Sequence, residues 1–132
     1  MPVEQLEDRV VLNHPKVFIV PSFKSVSSEN DQGASVEVLH YGATVISWKT
    51  GGVERLFVSS KAALDGSKPV RGGIPVVFPC FGAPTHAEHM KLSQHGFARS
   101  EIWVFDSVVM DNEAGVSVRL SGSSIPAGFI SA

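Results

Sequence analysis

Cysteine is nearly absent from this sequence. Cys80 is the one such residue in 132, which excludes an internal disulfide and fits a reducing compartment. Neither sign of charge is in excess. The 11 Lys and Arg against 13 Asp and Glu give a net charge of -2, with no basic block, so bulk electrostatics invite no nucleic acid. Long apolar runs are missing at the start as well. MPVEQLEDRVVLNH carries acidic residues and no extended hydrophobic stretch, so neither a secretory signal nor a membrane span is expected there. No segment shows a sustained helical stripe capped at both ends, and there is no internal repeat or low-complexity tract. What remains is 43% hydrophobic and 18% charged residues, an ordinary globular balance in a chain long enough for one core and too short for two. The expectation is a soluble cytoplasmic domain with no nucleic-acid or membrane partner.

The periodicity that is present belongs to strands. RVVL and KVFIV are short β-branched runs separated by Asn13, His14 and Pro15, and SFKSVSSENDQGAS reads as a polar loop without a phosphate-loop pattern. SVEVLHYGATVISWKT alternates in part, with Gly42 where a bulge or sharp bend belongs. TGG reads as a turn and ERLFVSS as a further strand. The clearest hairpin is EIWVFDSVVM, a DNEAG loop, then VSVRLSG. Alternation puts Ile102, Val104 and Val108 on one face of its first strand and Trp103, Phe105 and Val109 on the other. With both faces apolar, that strand is expected to lie between two layers. The expected fold class is all-β and sandwich-like.

One stretch is unusual. In SKPVRGGIPVVFPCFG an arginine is followed by two glycines, and the apolar run after them is cut twice by proline. Gly72 and Gly73 let the main chain turn tightly or let a ligand approach it, while Pro75 and Pro79 remove ladder donors and argue against an ordinary central strand. Such a bent, stiff segment holds one side chain in a fixed direction at low entropic cost on binding. Arg71 is the candidate, a planar fork suited to a phosphate or carboxylate. The bland alternative is a surface ion pair above an ordinary loop.

A second cluster lies in LSQHGFARSEIW. It places Gln94, His95 and Arg99 just before a strand, again around a glycine. The amide and imidazole suit sugar hydroxyls, and Arg99 is a second anion fork. Two arginines on separate loops with an amide and an imidazole form a plausible grip for a phosphorylated polyol. The competing reading makes His95 a satisfied turn histidine and Arg99 an ordinary strand-start cation.

GATVISWKT, LDGSKPVRGGIPVVFPCFG and LSQHGFAR, in this order and spacing, resemble the hexose-6-phosphate mutarotases, or glucose-6-phosphate 1-epimerases, of the aldose 1-epimerase-like group. The resemblance runs from Val10 to Leu120 and implies a galactose-mutarotase-like β-sandwich, a supersandwich. It implies an isomerase that interconverts the α and β anomers of a hexose 6-phosphate, with no metal and no other cofactor. Carried over residue by residue, it makes Arg71, Gln94 and Arg99 substrate contacts. His95 matches a histidine that sits beside the sugar in related mutarotases.

Mutarotation needs a general acid at the ring oxygen and a general base at the anomeric hydroxyl. In the resembled family these are a histidine and a glutamate well downstream of QHGFAR, in chains roughly twice as long as this one. No histidine follows Arg99, and Glu101 and Glu113 sit at a strand start and in the hairpin turn. The expectation is therefore an N-terminal portion only, residues 1–120, followed by an unrelated or disordered tail, 121–132, with no catalytic residue in the chain. Two further function classes stand beside the epimerase: a non-catalytic sugar-phosphate-binding remnant, and a metalloprotein using His86, His89 and His95. The THAEHMK segment is expected to be a solvated loop, Cys80 a small buried hydrophobe, Trp48 and Trp103 core residues, and His14 and His40 without partners.

Overall fold

The computed structural model describes residues 2–14 and 33–122. The KVFIV run, the polar loop up to Gln32 and the tail from residue 123 lie outside the described residues.

Five strands form one antiparallel sheet in sequence order: β1 (Val3–Gln5), β2 (Arg9–His14), β3 (Ala34–Leu39), β4 (Val45–Thr50) and β5 (Val53–Glu54). A separate antiparallel pair follows, β6 (Trp103–Asn112) and β7 (Gly115–Gly122). The helical content of the described residues is two 3-10 turns, Ala87–His89 and Ala98–Ser100. The all-β expectation holds.

The register of the first sheet follows from its β-branched residues. Val10 faces Val38, and Val38 in turn faces Val45, with a bulge between Glu37 and Val38. Val10 and Leu39 are shielded from solvent almost entirely, and Val38, Tyr41, Ile46 and Ala98 close the core around them. Burying one such aliphatic side chain stabilises by about 1.5–3 kcal/mol. Arg9 reinforces the pairing at the strand level. Its guanidinium bridges Asp8, at 2.7 Å, and Glu37, at 3.1 Å, and holds the Asp8 carboxyl below its usual range. At Gly42 the chain reverses from β3 into β4 with φ of 73°, and a Cβ there would run into the Arg99 carbonyl oxygen. The TGG turn is equally direct, with both Gly51 and Gly52 in the left-handed region.

Three expectations need correction. Only Glu54 of ERLFVSS is in a strand. Beyond it the Leu56 N–H donates to the Glu54 carboxylate, and Val58 makes a single bridge to Gly72, so a loop and a side chain take the place of a partner strand. The DNEAG loop is shorter than expected. Only Glu113 and Ala114 lie between β6 and β7, and the Asn112 side-chain oxygen accepts from the Ala114 N–H at 2.8 Å. Nor does β6 lie between two layers: Ile102, Val104, Val108 and Val109 are all exposed, Val109 at 59%. Register shifts within Phe105–Ser107 and Val108–Met110 break the simple alternation, and no described residue covers the apolar face. The strand β1 went unseen in the sequence, and β7 continues through Ser121 and Gly122.

Backbone bonds fasten the long irregular segment between the sheets. Val45 and Ile74 exchange both N–H···O bonds, at 3.0 and 2.9 Å. Gly73 N–H donates to Phe57 O, Ser59 N–H to Arg71 O and Phe97 N–H to Phe78 O. The hairpin is tied in by Trp103 N–H to His40 O and by Gly42 N–H to Glu101 O.

Candidate functional site

Arg71 projects from a tightly packed stretch of backbone. Its own carbonyl accepts from Ser59 N–H at 2.9 Å. The two glycines after it have φ of 123° and 66° and press against backbone: a Cβ on Gly72 would meet Phe57 O and Val58 Cα, and one on Gly73 would meet Val45 O. No other residue fits there, because every L side chain carries the Cβ that this packing forbids. The Arg71 side chain is exposed and has no hydrogen-bond or ion-pair partner among the described residues. Its backbone is fixed and its guanidinium is unengaged.

The second loop is organised by a reciprocal clamp. His95 N–H donates to Gly82 O at 2.8 Å, and Gly82 N–H donates to His95 Nδ1 at 2.8 Å. Because a backbone N–H can only donate, Nδ1 must accept, and the neutral ring carries its proton on Nε2. The free edge of His95 is therefore a donor. His95 sits at φ of 67°, a left-handed conformation that costs about 1 kcal/mol for a non-glycine residue. Two hydrogen bonds of about 1 kcal/mol each offset it. Phe81 lies beside the imidazole, with ring centroids 5.0 Å apart and planes at 58°.

Arg99 belongs to the same loop. Its Nη2 donates to the Gln94 backbone carbonyl at 3.0 Å, which joins the two ends of the QHGFAR motif. Its Nε is shielded from solvent and has no partner among the described residues. The Gln94 side chain is exposed. Gly96 closes the base of the loop: a Cβ there would run into Phe78 O, and Phe97 and Ala98 both donate to that carbonyl. Thus Gln94, His95 and Arg99 form one braced unit. Arg71 stands at the start of the segment whose Phe78 and Gly82 bond this unit, and no hydrogen bond or ion pair joins its own side chain to Gln94, His95 or Arg99 among the described residues.

Other residues behave differently from their sequence reading. Trp48 is exposed, whereas Trp103 is half-buried and its Nε1–H donates to Ala98 O at 3.0 Å. Cys80 is half-buried. His14 has a partner, its Nε2 lying 3.1 Å from Asn112 O, which accepts. His40 is held through its main chain to Asp8 and Trp103, while its shielded Nε2 has no partner among the described residues. It lines a pocket of 230 Å³ with Asp8, Tyr41, Asp65 and Ile102, which contains none of the four candidate residues.

The metal reading gains no support. His86 and His89 lie on an exposed 3-10 turn with rings 5.6 Å apart, and His86 Nδ1 accepts from Glu88 N–H. His95 Nδ1 is committed to Gly82. Among the described residues no three His, Cys, Asp or Glu side chains gather around one point, and no helix is long and apolar enough to cross a membrane.

Sequence reasoning missed Phe81 and Gly82 as the residues that flank and brace His95. The signal available was an aromatic residue placed directly before a glycine at the end of the stiff motif.

Comparison with known proteins gives a consistent picture. A family model described as aldose 1-epimerase matches residues 24–127. A Cenchrus ciliaris protein named "Putative glucose-6-phosphate 1-epimerase" is 47% identical over 72 residues, covering 54% of this chain and 20% of that protein. An Escherichia coli K12 protein of the same name is 39% identical over 67 residues, covering 50% and 22%. The crystal structure titled as that of "a putative mutarotase (YeaD)" from Salmonella typhimurium aligns with a TM-score of 0.62 at 26% identity, covering 89% of this chain and 34% of that one. The matches therefore span a fifth of each curated relative and a third of the solved chain. Such partial coverage agrees with the expectation of a portion of the family's full length.

Proposed function

The chain belongs to the aldose 1-epimerase family, and from that premise we propose that it carries the substrate-gripping loops of a glucose-6-phosphate 1-epimerase, an isomerase of hexose 6-phosphate anomers. Arg71 and Arg99 hold the phosphate. Gln94 and the Nε2–H of His95 bond to sugar oxygens. The observation that carries this reading is the Gly82–His95 clamp, which leaves Nε2–H as the donor of the neutral ring, on a loop braced by an arginine whose Nε is shielded and has no partner among the described residues. A shielded guanidinium nitrogen without an acceptor is what a bound anion would satisfy.

In the reaction a base removes the proton of the anomeric hydroxyl, the bond from C1 to the ring oxygen breaks, and an acid protonates that oxygen. Rotation about C1–C2 and the reverse steps then give the other anomer, with no net change in protons. The residues of this chain bind and orient the sugar. We place the acid and base in the part of the fold that the chain does not cover, with no cofactor, and place the reaction in the cytoplasm. A second reading, a non-catalytic sugar-phosphate binder, is favoured by the same residues if no acid and base join them.

Exchange NMR with glucose 6-phosphate tests both. Binding without faster anomer exchange, abolished by Arg71→Ala, is the expected result for the chain alone. Exchange above the uncatalysed rate would place an acid and a base within these residues and overturn the division of labour. Absence of binding by a well-dispersed protein would overturn the grip itself.

A further inference from the structure

Phe81 is 84% exposed, yet the loop that carries it is held by hydrogen bonds. Its neighbour Gly82 is bonded twice to His95, and its ring lies 5.0 Å from the imidazole at a tilt of 58°. A freely rotating surface phenylalanine has no such frame. Phe57 is also largely exposed, at 78%, but makes no ring contact among the described residues. Phe78 is satisfied by an edge-on contact with Phe97 at 5.9 Å. Among the described phenylalanines, Phe81 is the one that joins a largely exposed ring to an adjacent imidazole whose Nε2 is a donor.

That combination has a chemical reading. A pyranose in its chair form presents oxygens around its rim and C–H groups on its faces, and those weakly positive C–H groups pack on the electron-rich face of an aromatic ring. A site with a rim donor and an adjacent apolar wall matches such a ring, since small-molecule sites combine apolar walls with a few placed polar groups. We infer that Phe81 is the stacking platform for the sugar ring, with His95 Nε2–H addressing an oxygen on the ring's edge. The inference rests on the reading of the QHGFAR loop as a sugar-phosphate grip. It adds the residue that distinguishes a sugar phosphate from a bare phosphate: the arginines bind either, and the platform contacts only the sugar.

The test is to titrate the 132-residue chain with glucose 6-phosphate and, separately, with inorganic phosphate, following both by calorimetry and by saturation transfer to the ligand. Phe81→Ala weakens glucose 6-phosphate binding about three- to tenfold, the size of one aromatic contact. The same variant leaves inorganic phosphate binding unchanged, and Phe81→Tyr, which keeps the ring, retains the wild-type affinity. Equal affinity of Phe81→Ala and wild type for glucose 6-phosphate overturns the platform while leaving the grip intact. Parallel loss of both ligands, or collapse of amide dispersion in Phe81→Ala, overturns it by making Phe81 a structural residue. Wild-type protein that binds neither ligand overturns the grip, and the platform with it.

Discussion

The Ser47 hydroxyl donates to the Glu54 carboxylate across 2.5 Å, and the other carboxylate oxygen accepts the N–H groups of Trp48 and Leu56 at 2.9 and 3.0 Å. One acidic side chain thus closes the turn between β4 and β5 and starts the path toward the Arg71 loop. Its hydrogen bonds, that from Ser47 first, pull its pKa from the ordinary 4.5 down to about 2.

The consequence for stability has a definite sign. The folded value lies below the unfolded one, so the bonded carboxylate stabilises the fold above pH 4.5, and that contribution drains as pH falls toward 2. Glu54→Gln lowers the urea midpoint at pH 7, and the gap from wild type narrows steadily below pH 4.5. A gap that stayed constant down to pH 2 would mean that the carboxylate's charge plays no part.

Two glycines with nearly the same backbone angle predict different outcomes. Gly73 has φ of 66° and Gly82 φ of 71°, but a Cβ at Gly73 would collide with Val45 O while one at Gly82 would meet nothing within 4 Å. Gly82→Ala therefore costs only the strain of a left-handed residue, about 1–2 kcal/mol. Gly73→Ala adds a backbone displacement to that strain and costs more. Thermal unfolding of the two variants gives the comparison, and equal losses would contradict the close approach to Val45.

Arg71 separates binding from stability. Its side chain is exposed and has no hydrogen-bond or ion-pair partner among the described residues, so Arg71→Ala leaves the unfolding free energy within about 0.5 kcal/mol of wild type and still reduces phosphate affinity. Arg71→Lys keeps the charge but not the paired donors, and recovers only part of the affinity. A marked loss of stability in Arg71→Ala would reveal a structural role instead.

The open face of β6 predicts self-association. Val104, Val108 and Val109 are exposed on a strand with no cover among the described residues, and exposed apolar strand surface recruits other chains. Replacing Val104 and Val108 by threonine raises the concentration at which light scattering first appears and leaves unfolding nearly unchanged. No change in scattering would clear this face of that role.

Much of the first sheet was legible because its cues are local: the β-branched pairs of β2, β3 and β4, and the reversals at Gly42 and Gly51. β1 was not, since Val3, Glu4 and Gln5 are extended only through pairing with β2, and three mixed residues carry no periodicity of their own. ERLFVSS failed for the opposite reason. It has strand composition, but its neighbour is the glycine loop and not a strand. At the site, the stiffness around Arg71 could be read from glycine and proline alone. The Gly82–His95 clamp could not, because a bond between a backbone N–H and a side chain 13 residues away leaves no pattern in sequence. The exposure of β6 was hidden because an apolar strand looks alike whether or not something covers it.

The bond from His14 to Asn112 spans 98 residues, and this orders the events of folding. The β3–β4 reversal at Gly42 closes a short loop, and the exchange between Val45 and Ile74 needs only a modest one. Anchoring the far end of β2 to the tip of the last hairpin must wait until almost the whole described chain is in place, because closure entropy grows with the length enclosed. The hairpin can form early by itself, whereas its docking belongs to the late stages. A substitution of His14, whose ring supplies this anchor, should accordingly speed unfolding and leave the refolding rate nearly untouched.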